Sequence, residues 1–252
     1  MSANYKRVPA VDKCFSILEL IARSRRPLGF TEIVRELGLN KSTVFNLLHT
    51  LNDLGILDKG ADGLFHPGSK LFILGNAAAR GSELIQIVHP CLVNINNEFR
   101  VSAFLGILSG TEVIIIDKAD MAQKVKVSSE IGMKIPLFAG VAGKALLSQL
   151  PGHEVTKIIN KYQFKKYTPN TNTDKGKIKK EIMQVRATGL AYDMEEYIEG
   201  LVAVAVPIKT GRDNLQAVIW AVGLKQEFRD SALKEITDVL MKTAAEINSR
   251  FL

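Results

Sequence analysis

Residues 32–55 read EIVRELGLNKSTVFNLLHTLNDLG, and their two helical patterns on either side of one glycine decide the fold of the N-terminal part. The first pattern begins after Thr31, the expected N-cap, and turns Ile33, Val34 and Leu37 inward. Gly38 then stands where a left-handed C-cap belongs. In the second pattern, capped by Asn40 or Ser42, the residues Val44, Leu47, Leu48 and Leu51 form a stripe at helical spacing that Gly55 ends. Two short helices joined by such a turn make a helix-turn-helix, whose second helix offers polar residues near its start to base edges in the major groove. Lys41, Ser42, Thr43, Asn46 and Thr50 lie off the apolar stripe. The first three ride on a helix N-terminus whose free amides favour phosphate, and Asn46 has the amide that pairs with adenine N6 and N7. A three-helix scaffold with an ordinary polar face would show the same periodicity.

The flanking residues separate these readings. Upstream, VPAVDKCFSILELIARSRRP spaces Val11, Phe15, Leu18 and Ile21 or Ala22 as one face of an amphipathic helix that Pro27 ends. Downstream, ILDKGADGLFHPGSKLFILG carries two short strands, 56–59 and 64–67, around an Ala-Asp-Gly turn. A hairpin directly after a recognition helix is a wing, and Lys59 at its edge is within reach of phosphate or a neighbouring minor groove. The candidate DNA contacts are therefore Thr31, Asn40, Lys41, Ser42, Thr43, Asn46, Thr50 and Lys59.

This order of elements, with EIVRELGLNKSTVFNLLHTLNDLG and the later LFILG, resembles the isocitrate lyase regulator (IclR) family of bacterial transcription factors. Members show an opening helix, a segment of the form ELA..LGLPKSTVHRLLATL...G and a wing ending in a Leu-Gly pair. The usual arginine of RLL is Asn46 here, so the contact at that position should differ. The resemblance implies an α+β chain: a winged helix-turn-helix in residues 1–70 (helix-turn-helix 31–51, wing 56–67), a linker helix in 71–84 that helps form the dimer, and a GAF-like α/β effector-binding domain in 85–252. It implies a homodimer or dimer of dimers that represses or activates from double-stranded operator DNA.

Composition agrees with one large domain or two smaller ones: 252 residues, 46% hydrophobic, 23% charged, net charge +7. That charge is compatible with nucleic acid but does not locate it, since residues 1–76 carry ten Lys or Arg against seven Asp or Glu. No run of 18 apolar residues spans a bilayer, and MSANYKRVPAVDK lacks the apolar core of a signal peptide. The expectation is a cytoplasmic protein without a membrane partner. Cys14 and Cys91 sit apart in apolar segments and read as buried free thiols; His49, His66, His89 and His153 show no ligand spacing, so neither metal nor cofactor is expected.

In the second half, residues 71–99 read as helix, with Leu84, Ile85, Val88, Leu92, Ile95 and Phe99 at helical spacing and an interruption at Pro90. VSAFLGILSG and TEVIIIDKA are β-rich, QKVKVSS alternates like a half-buried strand, and LVAVAVPIK and LQAVIWAVGL form a hairpin around TGRDN. A central antiparallel sheet covered by helices is the natural assembly. The final helix carries Leu233, Ile236, Leu240, Ala244 and Ile247, and the lysine-rich stretch KYQFKKYTPNTNTDKGKIKKE reads as a solvated loop leading into a surface helix.

PLFAGVAGKALL, residues 136–147, looks like a phosphate loop, but the position five before Gly143 is Phe138 and the residue after Lys144 is Ala145, where such a loop needs glycine and a hydroxyl. Its glycines and helix start still suit an anion. The acids Asp193, Glu195, Glu196 and Glu199 lack a partner histidine and carry no catalytic assignment. The family resemblance instead implies that the amides of Val141 and Ala142 receive the carboxylate of a small organic acid effector, with Asp193 on its far side and Val127, Ile135, Leu201 and Ala203 as apolar walls. Where relatives that bind small keto acids have two serines on the last strand, this chain has Trp220 and Val222, which favours a larger, apolar or aromatic acid. Trp220 as core filling is the alternative. The competing functional class is a sensor or enzyme of GAF-like fold without DNA regulation.

Overall fold

The computed structural model describes residues 6–24, 26–80, 82–120, 129–210, 215–229 and 231–251. They form two compact units, residues 1–81 and 82–252.

The first unit runs α1 (Pro9–Arg23), β1 (Leu28–Gly29), α2 (Phe30–Leu37), α3 (Lys41–Asp53), β2 (Leu57–Lys59), β3 (Leu64–Pro67) and α4 (Ser69–Arg80). Its core joins Ile17, Ile21, Leu28, Ile33, Val44, Leu48, Leu51, Leu57 and Phe65. The strands pair antiparallel in the order β1-β3-β2, with Asp58 opposite His66 in the wing. Gly38 adopts φ +61 and donates its N–H to the Val34 carbonyl, closing α2 as the sequence predicts.

Two local expectations are corrected. Thr31 is not the cap of α2, because the helix begins at Phe30, two residues earlier than that cap would place it. Gly29 is the N-cap, and the Glu32 carboxylate takes the capping role by accepting from the Gly29 N–H at 3.2 Å. Arg26 also grips Glu32, and this hydrogen-bonded pair together with the Gly29 amide holds the Glu32 carboxyl down at about 2. In α1, Val11 and Phe15 are more than half exposed while Ile17 and Ile21 are buried. The small core takes in Cys14, Ile17, Leu18, Leu20 and Ile21, so the buried stripe keeps Leu18 and Ile21 of the expected face but is rotated away from Val11 and Phe15.

The second unit runs α5 (Glu83–Phe99), β4 (Ser102–Ser109), β5 (Glu112–Ala119), β6 (Lys134–Pro136), α6 (Val141–Ser148), α7 (Gly152–Lys161), α8 (Lys175–Thr188), β7 (Ala191–Met194), β8 (Leu201–Ile208), β9 (Ala217–Leu224), a 3-10 turn (Lys225–Phe228) and α9 (Ala232–Arg250). Among the described residues, six antiparallel strands follow the order β6-β5-β4-β9-β8-β7. Alternation splits β9 between two cores. Val218 and Trp220 join the layer under α6, α7 and α8, while Ala217, Ile219 and Ala221 join the layer under α5 and α9.

The long helix expected over 71–99 is two helices. Ser82 caps α5, its hydroxyl accepting from the Ile85 N–H, and Pro90 sits inside α5 without ending it. Cys14 and Cys91 are free but only half-buried, and burial pushes both thiols up. The expected strand QKVKVSS, residues 123–129, lies almost wholly outside the described residues, as does most of TGRDN. The hairpin it joins is present, with Ile208 opposite Ala217.

The start of α6 is fixed by one close approach: a β-carbon on residue 143 would fall 1.5 Å from the Leu137 carbonyl oxygen. Gly143→Ala should therefore cost at least about 3 kcal/mol in chemical denaturation. Gly75→Ala in α4, where nothing lies within 4 Å of the new methyl, should be neutral or stabilise by about 0.5 to 1 kcal/mol.

Candidate DNA-reading head and effector cavity

The outer face of α3 presents Lys41, Ser42, Asn46 and Thr50 to solvent, with Thr43 half-buried beside them. Asn40 precedes the helix as N-cap without a side-chain hydrogen bond to it, and Thr31 is exposed on the first turn of α2. The wing is pinned to the same helix, because the Lys59 N–H donates to Asn52 Oδ1 at 3.0 Å. The Lys59 side chain is exposed, with Nζ 5.8 Å from the centre of the Phe65 ring. All eight sequence candidates thus belong to this one small unit. Periodicity misses Phe45, half exposed on α3, edge-on to Phe30 and against the His49 ring. Its signal was available: a large apolar side chain outside the stripe formed by Val44, Leu48 and Leu51.

In the second unit, Ile135, Val141, Ala142, Asp193, Leu201, Ala203, Trp220 and Val222 line one cavity of about 520 Å³. They come from β6, the start of α6, and strands β7, β8 and β9. Val127 lies outside the described residues. Gly140 caps α6 with φ +79, leaving the next amides at the cavity without intrahelical partners. Asp193 is buried on β7 and faces this helix start. Its Oδ1 accepts from the Glu196 N–H at 2.6 Å, and its Oδ2 lies 2.9 Å from where a β-carbon on Gly140 would be. Burial raises the Asp193 carboxyl above the ordinary carboxylate range, against the pull of the Glu196 amide and the Lys144 ammonium.

Trp220 serves both readings given to it. Its ring lines the cavity and is also 5% exposed, stacked on its cross-strand neighbour Phe104 at 5.2 Å. Gly106 makes room for it, since a β-carbon there would meet the indole at 2.8 Å. Phe104, Met133, Tyr197 and Ile198 also line the cavity and escape the sequence reading. Phe104 is indistinguishable in the chain from any inward strand residue, and Tyr197 and Ile198 are hidden in a segment dominated by acids.

The acid-rich segment after β7 is a lip over the cavity, tied down from several sides. Lys144, one turn into α6, donates to Glu196 at 2.7 and 2.8 Å, pairs with Glu181 of α8 at 3.0 Å and reaches the Tyr192 carbonyl. Burial alone would depress this ammonium, but the Glu196 and Glu181 carboxylates outweigh it and hold the group above its ordinary value. Thr168 and Thr171 donate to the carbonyls of Glu195 and Glu196. Glu195, at φ +65, accepts from the Gly200 N–H and pairs with Lys225. The acids are thus spread among separate partners, and no group suited to hold a metal occurs among the described residues. No described helix is long and apolar enough to cross a membrane.

Comparison with known proteins agrees with both units. Residues 10–60 match the IclR helix-turn-helix domain, and residues 76–249 match the C-terminal domain of bacterial IclR transcriptional regulators. Over 244 residues the chain is 30% identical to the transcriptional repressor IclR of Escherichia coli K12, covering 96% of this chain and 89% of that one. The crystal structure of an IclR transcriptional regulator from Alicyclobacillus acidocaldarius superposes with a TM-score of 0.87 at 24% identity, covering 98% of this chain and 100% of that one. An IclR homologue from Microbacterium hydrocarbonoxydans, solved in complex with 4-hydroxybenzoate, superposes with a TM-score of 0.81 at 22% identity, covering 96% and 98%. The two matched domains and the identity to IclR over nearly the whole chain therefore place it in the IclR family, as a DNA-binding transcriptional regulator with an effector-binding C-terminal domain.

Proposed function

We propose that this regulator binds a pseudo-palindromic operator as a dimer or dimer of dimers, and that a small acid with an apolar or aromatic body controls it. The observation that carries the effector reading is the meeting, in one cavity of about 520 Å³, of free helix-start amides at Val141 and Ala142 with the facing rings of Phe104 and Trp220. A cavity of that size suits a small organic ligand. The amides and the helix dipole take the carboxylate, and the aromatic and aliphatic walls take the body. The relative crystallised with 4-hydroxybenzoate supports an aromatic acid. The similarity to the transcriptional repressor IclR of E. coli K12 favours repression. For regulation the acid must bind the DNA-competent and DNA-incompetent states with different affinity, since an indifferent ligand shifts nothing.

On the DNA side, Lys41, Ser42 and Thr43 hold phosphate at the start of α3, with Thr31, Asn40 and Lys59 flanking. Asn46 and Thr50 face the bases, and Phe45 offers an apolar surface for a thymine methyl. Half-sites lie about 34 Å apart or at multiples of that distance.

Three outcomes follow. In gel-shift titrations across salt concentrations, Lys41→Ala should weaken binding to every sequence and reduce the salt slope by about one, while Asn46→Ala should cost about 1 to 3 kcal/mol at one base pair and relax preference there. If both variants bind like the parent chain, α3 is not the reading helix. In a screen of organic acids, a true effector should change both the fluorescence of Trp220, the chain's single tryptophan, and operator affinity; an acid that alters operator binding with unchanged Trp220 emission places the effector elsewhere. Finally, Lys144→Met should strand two carboxylates and cost about 3 kcal/mol in denaturation, with Lys144→Met combined with Glu196→Gln recovering part of the loss.

A further inference from the structure

We propose that the cavity accepts an effector carboxylate only together with one proton, which Asp193 holds against the ligand. This rests on the effector reading above and sharpens it, because it specifies the charge state the site can take.

The helix start that would receive the carboxylate already faces a built-in one. Asp193 Oδ2 lies beside Gly140, 2.9 Å from the position of an absent β-carbon, and the side chain is 6% exposed. Among the described residues, the ammonium groups nearest the cavity are already paired with carboxylates. From α6, Lys144 faces Asp193 but is engaged by Glu196 at 2.7 Å and by Glu181 of α8 at 3.0 Å. From the lip, the carboxyl of Glu196 lies against Lys144 and that of Glu199 lines the cavity. At the rim formed by Ser129, the Lys118 ammonium donates to the Ser129 carbonyl and is already paired with Asp120 and Glu130. Strands β8 and β9, which form the floor, contain no ionisable side chain.

Within this group, one ammonium thus stands against Glu181, Glu196 and Asp193 before any ligand arrives. The start of α6 contributes about half an elementary charge, too little to balance a further full anion next to Asp193. Two carboxylates forced to share one helix start in a low-dielectric site retain one proton between them. Asp193 is the group placed to keep it: its carboxyl accepts from the Glu196 amide at Oδ1 and also from the Tyr197 amide, while Oδ2 lies on the side of Gly140, toward the ligand. The upward shift that burial imposes on this carboxyl acts in the same direction.

The test is isothermal titration calorimetry of the full chain with benzoate and 4-hydroxybenzoate, each at pH 6, 7 and 8 and in two buffers of different ionisation enthalpy. Both probes are ionised throughout. Binding should take up close to one proton per ligand, and Kd should rise about tenfold per pH unit once Asp193 is ionised in the free protein. Asp193→Asn keeps an acceptor for the Glu196 amide, and it should bind benzoate with little proton uptake and a nearly flat pH dependence. Binding to the parent chain with no proton uptake and a constant Kd overturns the proposal and leaves the effector reading intact. Equal uptake by the parent chain and the Asn variant overturns the assignment to Asp193. If neither probe nor any acid of the screen binds at pH 6, the effector reading fails, and the proposal with it. The parent-chain measurement decides the matter even if the variant does not fold.

Discussion

The arrangement of the second unit hangs on the contact between the α-carbon of Gly143 and the carbonyl of Leu137. Because no side chain intervenes, α6 lies directly on the turn that leaves β6, and its first amides come to rest at the mouth of the sheet. Everything chemical about the cavity depends on that placement. The helix start meets Asp193, and the next turn delivers Lys144 to Glu181 of α8 and to Glu196 of the lip beside the cavity. A glycine motif suited to phosphate has the geometry for anion recognition in general; the absent hydroxyl and first glycine remove nucleotide chemistry without removing the amides.

Much of this could be read from the chain. Gly38 marks the left-handed turn that only a residue without a β-carbon adopts cheaply. The stripe of Val44, Leu48 and Leu51 leaves the polar residues of α3 facing outward. The strands around the TGRDN segment carry an alternation that places Trp220 and Val222 on one face and Ala221 on the other. Eight of the nine residues assigned to the effector site on family grounds share one cavity.

What could not be read depends on contacts distant in the chain. Phase along α1 is set by how small the core is, so Ile17 and not Phe15 is buried. Cap choice at α2 depends on Glu32 turning back to Gly29, a local competition that Thr31 lost to a side chain of longer reach. The burial of Lys144 follows from the meeting of α6, α8 and the lip, residues separated by up to 52 positions. Periodicity has no access to such separations, because it records which way a residue points and not what it meets.

The indole of Trp220 carries two duties at once, as wall of the cavity and as a stacked member of the core, with Gly106 kept bare to admit it. A chamber built this way has an uneven capacity to evolve. Changing its shape at position 220 disturbs the sheet, whereas Val222, Leu201 and Met133, none of them fully buried, can be exchanged with less damage to the fold. The shape of the cavity is therefore most easily varied along the rim, while the stacked pair of Phe104 and Trp220 is held in place by the sheet itself.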